Sequence, residues 1–96
     1  MLNSKNRAYL RSLAASLDPI FQVGKGGITD EMCQQISNAL EARELIKLRV
    51  LDNSGYSSKE AAVEIAEAID ADVVCSIGNR FVLYRKSNKK QRIELP

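Results

Sequence analysis

The segment Leu45–Leu51 constrains the fold more than any other part of the chain, because its side chains alternate in character. Branched apolar residues occupy every second position, and Lys47 and Arg49 stand between them. Since successive side chains of a strand point to opposite sides, the apolar set faces one way and the two cations face the other. Helices over both faces of the sheet would bury these cations. The segment therefore predicts a half-buried strand in a sheet with one face at least partly open to water.

Helical and extended patterns alternate along the rest of the chain. Apolar residues at helical spacing predict helices over residues 4–17, 29–43 and 57–69, with N-caps at Ser4, at Thr29 and at Ser57 or Ser58. Extended patterns predict strands over residues 20–23, 45–51, 72–77 and 81–85. A hairpin turn at Gly78 and Asn79 joins the last two strands.

The resulting order, α-β-α-β-α-β-β, predicts an α/β protein (α+β in some classification schemes). Each β-α-β connection places its two strands side by side and parallel, through a right-handed crossover. The final hairpin adds an antiparallel pair. We therefore expect a mixed four-stranded sheet packed with helices, in a single domain of residues 1–86. Residues 87–96 form a basic tail that we expect to be mobile in part.

The chain carries no sign of export or of membrane insertion. Its first residues lack the apolar stretch of a signal peptide, and its apolar runs fall far short of the ~20 residues that span a bilayer. Cys33 and Cys75 have the spacing of neither a disulfide framework nor a metal site. These features predict a reduced, cytoplasmic protein that binds no metal.

Charge is distributed unevenly along the chain. Residues 1–25 hold four basic residues and one acidic residue, and residues 80–96 hold six basic residues and one acidic residue. Residues 26–79 hold four basic and ten acidic residues. Both ends are therefore basic and the middle is acidic, although the net charge is only +2. Such asymmetry indicates an anionic partner, and the alternative is a basic surface that only solubilises the protein.

A glycine-rich turn separates a short apolar run from a helix start, and it consists of Gly24, Lys25, Gly26 and Gly27. Glycine lets the backbone approach a ligand closely, and the following helix presents free N–H groups. The spacing of a nucleotide-binding P-loop is absent, and Asp30 and Glu31 would oppose a compact nucleotide phosphate. The turn therefore predicts contact with an extended phosphate backbone, and the alternative is a simple connecting turn.

Six further basic residues are candidate phosphate contacts, namely Arg7, Arg11, Lys47, Arg49, Arg80 and Lys86. The first two share one face of the first helix, the next two form a strip on the open sheet face, and the last two belong to the final hairpin and its exit. For Arg7 and Arg11 the alternative is a solvated helix face, and for Lys47 and Arg49 it is two exposed strand residues that prevent edge pairing. Tyr84 has the ring to stack on a base, but packing in the core is the favoured interpretation.

Nothing in the sequence has the pattern of a catalytic site. The chain contains no histidine and no nucleophile elbow, and its acidic residues Glu60, Glu64 and Glu67 form the solvated face of a helix. We therefore predict a protein that is not an enzyme, has no catalytic residues, and uses no cofactor and no small-molecule substrate.

Three stretches of the chain together resemble one known family. They are the loop Val23–Thr29, the segment Ala39–Val50 with its Glu44-Leu-Ile-Lys47 core, and the hairpin Ile77–Arg85. On these motifs the chain resembles the CRM (chloroplast RNA splicing and ribosome maturation) domain, in its stand-alone, bacterial YhbY-like form. The resemblance covers nearly the whole chain up to about residue 86.

The resemblance implies a fold similar to the C-terminal domain of translation initiation factor three, and RNA binding through a loop similar to the Gly-x-x-Gly loop of KH domains. It also implies association with precursors of the large ribosomal subunit. The resulting expectation is a monomeric, cytoplasmic RNA-binding protein that contacts ribosomal RNA and no membrane. Two alternatives stay open at this point, a module that docks an acidic protein partner and a small nucleotide-binding enzyme.

Overall fold

A computed structural model describes residues 2–96 and contains three helices and four strands within that range. The helices are α1 (Ser4–Ala14), α2 (Asp30–Arg43) and α3 (Ser58–Ile69). The strands are β1 (Pro19–Val23), β2 (Leu45–Val50), β3 (Asp72–Ile77) and β4 (Arg80–Tyr84), and a single 3₁₀ turn spans Asp52–Ser54. The predicted order of elements and the mixed α+β class are confirmed. None of the helices in this range is long and apolar enough to cross a membrane.

The helix starts follow from local capping chemistry. Thr29 accepts a hydrogen bond from the N–H of Met32 (3.1 Å), and Ser57 forms a capping box with Glu60, as predicted. In α1 the N-cap is Asn3 rather than Ser4, since its side chain accepts a 2.8 Å bond from the N–H of Asn6. This helix also ends at Ala14, earlier than predicted.

The strands lie in the order β1-β2-β4-β3. β1 and β2 are parallel, as their β-α-β connection predicts, whereas β4 is antiparallel to both of its neighbours. The expectation that β2 and β3 are neighbours was wrong, because the hairpin at Gly78 folds β4 into the position between them. β4 pairs with β2 over five residues, from Leu45↔Tyr84 to Arg49↔Arg80.

The two faces of the sheet are covered to different extents. On one face, Ile46, Leu48 and Val50 pack with Phe81 and with the apolar stripes of α2 and α3 to form the main core. On the other face, α1 packs over one end of the sheet only, against a smaller core. Lys47 and Arg49 lie on this second face and are half-buried. The open sheet face predicted from their alternation is therefore present.

The C-terminal residues fold back onto the end of α2. The Glu44 side chain is fully buried and accepts hydrogen bonds from the N–H groups of Ser87 (2.7 Å), Arg92 (2.5 Å) and Ile93 (2.8 Å). Glu41 accepts from the Ser87 hydroxyl and from the N–H of Asn88. Apolar side chains of the segment pack against the smaller core. These contacts, which were not predicted from the sequence, hold in place a segment whose composition is that of a free tail.

Candidate nucleic-acid interface

A groove of about 270 Å³ lies between the end of α1 and the open part of the sheet. Three cationic side chains, those of Arg11, Lys47 and Arg80, line it together with apolar residues. Among residues 2–96, none of those that line this groove carries a carboxylate. The three charges therefore act together on whatever enters the groove.

Strand pairing explains why these cations meet. β2 and β4 are paired with Lys47 opposite Val82 and Arg49 opposite Arg80. Residues directly opposite each other point to the same side of a sheet, so Lys47, Arg49 and Arg80 share one face. Arg11 lies in the last turn of α1, which crosses this face.

Arg49 extends the basic surface toward the sheet edge. Its Nη2 donates a 3.3 Å hydrogen bond to Oε1 of Gln22 on β1. The partner is neutral, so the contact orients the guanidinium without compensating its charge. Arg49 is thereby held beside Arg80 on the open face.

The glycine-rich loop lies at the end of the sheet where Arg49 and Arg80 are paired. It is a tight turn closed by a 2.9 Å bond from the N–H of Gly27 to the carbonyl of Gly24, and the φ of Gly27 is 72°. A second 2.9 Å bond, from the N–H of Leu51 to the carbonyl of Val23, ties the loop to the end of β2. Because β1 and β2 end here and β4 begins here, the loop and Arg80 lie at the same end of the sheet.

The tip of the loop is open to solvent. Lys25 and Gly26 are exposed, and no atom lies within 4 Å of the position that a Cβ of Gly26 would occupy. A bulky anion can therefore approach the backbone closely at Gly26, with the cation of Lys25 next to it.

The remaining two candidates lie farther out. Arg7 is exposed on α1, four residues and thus about 6 Å along the helix before Arg11. Lys86 follows the far end of β4, about 20 Å from Arg80 along the strand, and it lines a separate hollow that also contains Glu41 and Asp70. The structure thus brings Arg11, Lys47, Arg49 and Arg80 to one face and separates Lys86 from them.

Tyr84, the last residue of β4, and Arg85, which follows it, both make structural contacts. Tyr84 is buried in the smaller core, as we predicted from the sequence. Arg85 donates from Nη1 to Oγ of Ser37 (2.9 Å) and to the carbonyl of Ile69 (2.9 Å), and from Nη2 to the carbonyl of Ser37 (2.8 Å). Arg85 therefore joins α2 to the end of α3 and is not part of the basic face.

The surroundings of the two cysteines argue against nucleophilic chemistry. Burial raises the pKa of the Cys75 thiol, and the nearby cations Arg11 and Lys47 oppose this shift without reversing it. Burial also raises the pKa of the Cys33 thiol, with Asp30 adding to the effect. Both thiols are therefore protonated at neutral pH, whereas a reactive cysteine has a lowered pKa. Within residues 2–96 no group of three or more histidine, cysteine or acidic residues is placed to hold a metal ion.

Fold and surface together define a class: a small mixed α+β domain with a basic, partly open sheet face and a glycine-rich loop at its edge. The family model of the CRS1 / YhbY (CRM) domain matches residues 2–85. The chain belongs to this family. The resemblance drawn from the three sequence motifs is thereby confirmed.

Individual relatives agree with this assignment. "Probable RNA-binding protein YqeI" of Bacillus subtilis is 48% identical over 96 residues, which cover all of both chains. A protein of Haemophilus influenzae named "RNA-binding protein" is 34% identical over 95 residues, covering 99% of this chain and 95% of that one. The solution structure of a hypothetical protein from Staphylococcus aureus is 50% identical, covers all of both chains and superposes with a TM-score of 0.82. The named relatives are described by RNA binding and not by a reaction, in agreement with the prediction that this chain is not an enzyme.

Proposed function

We propose that this protein binds RNA through the basic face and the glycine-rich loop beside it. The observation that carries the proposal is the convergence of Arg11, Lys47 and Arg80 on one groove that has no carboxylate in its lining. Phosphate groups of a nucleic acid supply the matching negative charge. The names of its relatives in Bacillus subtilis and Haemophilus influenzae support RNA as the partner.

The loop and the face have different roles in this proposal. Lys25 and the exposed backbone of Gly26 hold phosphates at the sheet edge, where an RNA strand passes the loop as it does in KH domains. Arg49 and Arg80 continue the path across the sheet, and Arg7 and Arg11 extend it along α1. Phosphate contacts of this kind fix the position of the RNA and carry little sequence information.

The RNA proposed here is ribosomal RNA in precursors of the large ribosomal subunit. The resemblance to stand-alone bacterial members of the family supports this choice. A monomer in the cytoplasm, where bacterial ribosomes are assembled, is the form in which we propose that the protein acts. Its partner in this role is structured RNA, and it uses no cofactor.

A charge reversal in the loop tests the proposal. We expect Lys25→Glu to weaken binding to fragments of large-subunit ribosomal RNA at least tenfold, because it replaces an attraction to phosphate by a repulsion. Lys90→Glu is the matched control, since it changes the charge equally in the C-terminal segment, away from the loop. Fluorescence anisotropy at several salt concentrations measures both variants.

The wild-type protein must also lose affinity steeply as salt rises. Failure to bind any ribosomal RNA fragment at low salt contradicts the proposal. Equal losses in Lys25→Glu and Lys90→Glu would indicate attraction by net charge alone. Binding of an acidic protein instead of RNA, insensitive to Lys25→Glu, would favour the alternative of a protein-docking module.

A further inference from the structure

The groove between α1 and the sheet is basic at its rim but apolar inside. Ala14 and Val82 are almost completely buried and form its floor. Cys75 and Ala15 add further apolar surface, and Ile77 stands at the side with 66% of its surface exposed. A site that only attracted phosphate would need the cations and would not need this apolar interior.

Ile77 is the most exposed large apolar side chain within residues 2–96. It lies on β3 opposite Arg80, so an isoleucine and an arginine stand side by side at one wall of the groove. Burial of an exposed apolar side chain by a ligand is favourable, and an arginine guanidinium stacks readily on a planar ring. The pair therefore fits a flat, largely apolar group that is attached to a negative charge.

From this combination we infer that the groove takes up one unstacked nucleobase of a single-stranded RNA segment. The inference rests on the proposed function and specifies the form of RNA that is bound. The base lies against Ile77 and the floor, and the adjoining phosphates meet Arg11, Lys47 and Arg80. The volume of about 270 Å³ is near the lower end of small-molecule sites, which suits a single base better than a larger ligand.

A regular RNA duplex does not satisfy this groove. Its bases are paired and stacked inside the helix, and only its phosphates and sugar edges reach a protein surface. A duplex bound to the basic rim would leave Ile77 in water. A single-stranded loop or bulge, in contrast, turns a base outward without the cost of breaking pairs.

The test compares two labelled RNAs with equal numbers of phosphates, a single strand and a blunt duplex of two complementary strands that contains no unpaired nucleotide. We expect the wild-type protein to bind the single strand more tightly. Ile77→Thr keeps a β-branched side chain on the strand and removes apolar contact, so it should weaken single-strand binding about three- to tenfold. It should leave duplex binding and the salt dependence unchanged, because no charge is altered.

Val63→Thr is the matched control, since Val63 is an exposed β-branched residue on α3, which packs on the opposite face of the sheet. It should bind both RNAs as the wild type does. A strand of the same length in which every nucleotide is abasic should reproduce the loss seen in Ile77→Thr. Adenosine monophosphate is included as a probe for a free nucleotide, and we expect it to bind far more weakly than the oligonucleotide.

The possible results separate this inference from the proposed function. Equal, salt-sensitive binding of both RNAs, or an Ile77→Thr variant that binds like the wild type, overturns the nucleobase site and leaves RNA binding intact. Binding of adenosine monophosphate as tight as that of the oligonucleotide also overturns it, in favour of a free-nucleotide site. Absence of binding to either RNA at low salt overturns both proposals.

Discussion

Glu44 occupies a backbone position that a glycine would adopt more easily. It ends α2 with a φ of 66°, in the left-handed region, and β2 begins at the next residue. An L-amino acid in this conformation costs roughly 1–2 kcal/mol. The carboxylate offsets this cost, because it receives three backbone N–H groups of the C-terminal segment. The motif Glu44-Leu-Ile-Lys47 thus joins a structural acid to a cation of the basic face.

Two glycines of the loop allow its folding role to be separated from its binding role. Gly27 has a φ of 72°, whereas Gly26 has neither a left-handed φ nor a neighbour within 4 Å of an added Cβ. We expect Gly27→Ala to lower the free energy of unfolding by about 1 kcal/mol, and Gly26→Ala to leave it unchanged or slightly raised. Urea unfolding at pH 7 measures both.

The affinity for RNA should not follow the stability of these variants. Gly26→Ala places a methyl group where the backbone is open to phosphate, so its affinity for RNA should fall although its stability does not. An intact RNA affinity in Gly26→Ala would show that RNA does not approach the loop backbone closely. Equal stability of the two variants would contradict the assigned role of Gly27.

At the scale of elements, local chemistry made most of the helices and strands predictable. N-caps such as Thr29 and Ser57 act within one helical turn, and the alternation of side chains around Lys47 depends only on the residues of that strand. Both features can therefore be predicted from the sequence. The place of β4 between β2 and β3 depends on pairing between distant segments, which local patterns do not encode. The convergence of Arg11 with Lys47 and Arg80 follows from that pairing and was therefore not predictable as a groove.

The C-terminal segment escaped prediction for a related reason. Its basic and polar residues have the composition of a solvated tail, and its anchor is a carboxylate more than 40 residues earlier in the chain. The backbone N–H groups that meet Glu44 leave no trace in side-chain patterns. An acidic residue directly before a strongly apolar strand was the one available signal.

The anchoring of this segment predicts a dependence of stability on pH. Burial raises the pKa of the Glu44 carboxyl, but the N–H groups of Ser87, Arg92 and Ile93 outweigh burial and hold the pKa below its ordinary value of 4.5. A lowered pKa in the folded state means that the stabilisation is fully present above about pH 4.5 and is lost as pH falls through the folded pKa.

We therefore expect Glu44→Gln to be about 2 kcal/mol less stable than the wild type at pH 7, because it loses charge-assisted hydrogen bonds to buried donors. The difference should shrink as pH falls below 4.5. Urea unfolding of both proteins between pH 7 and pH 3 measures it, and the subtraction cancels the titration of Glu41 and Glu60, which also have a lowered pKa. A difference that stays constant with pH would contradict the carboxylate's role.

At the scale of the whole molecule, the sheet separates charges of opposite sign. The basic face lies on the side of α1, and the exposed acids of α3, Glu60, Glu64 and Glu67, lie on the side of the main core. A net charge of only +2 therefore conceals a strongly polarised protein. Such a distribution orients the protein on a polyanion, with the basic face turned inward and the acidic helix turned away.

The basic face and Lys86 lie at opposite ends of the domain, so they can show how far the proposed RNA contact extends along it. The longest dimension of the molecule is 37 Å, and Lys86 lies beyond the far end of β4 from the groove and the loop. Beside Lys86, Glu41 and Asp70 line the same hollow and oppose a phosphate. Lys47, in contrast, lines a groove without a carboxylate. The two lysines thus distinguish a local contact from one that runs along the whole domain.

We expect Lys47→Gln to reduce the slope of log affinity against log salt by about 0.7–0.9, the value for one lost phosphate contact. Lys86→Gln removes the same charge and should leave the slope unchanged, because its hollow is not part of the basic face. Titration of one ribosomal RNA fragment at four salt concentrations measures both slopes. Equal reductions in the two variants would mean that the RNA spans both ends of the domain, and a reduction in Lys86→Gln alone would place the contact at the C-terminal segment.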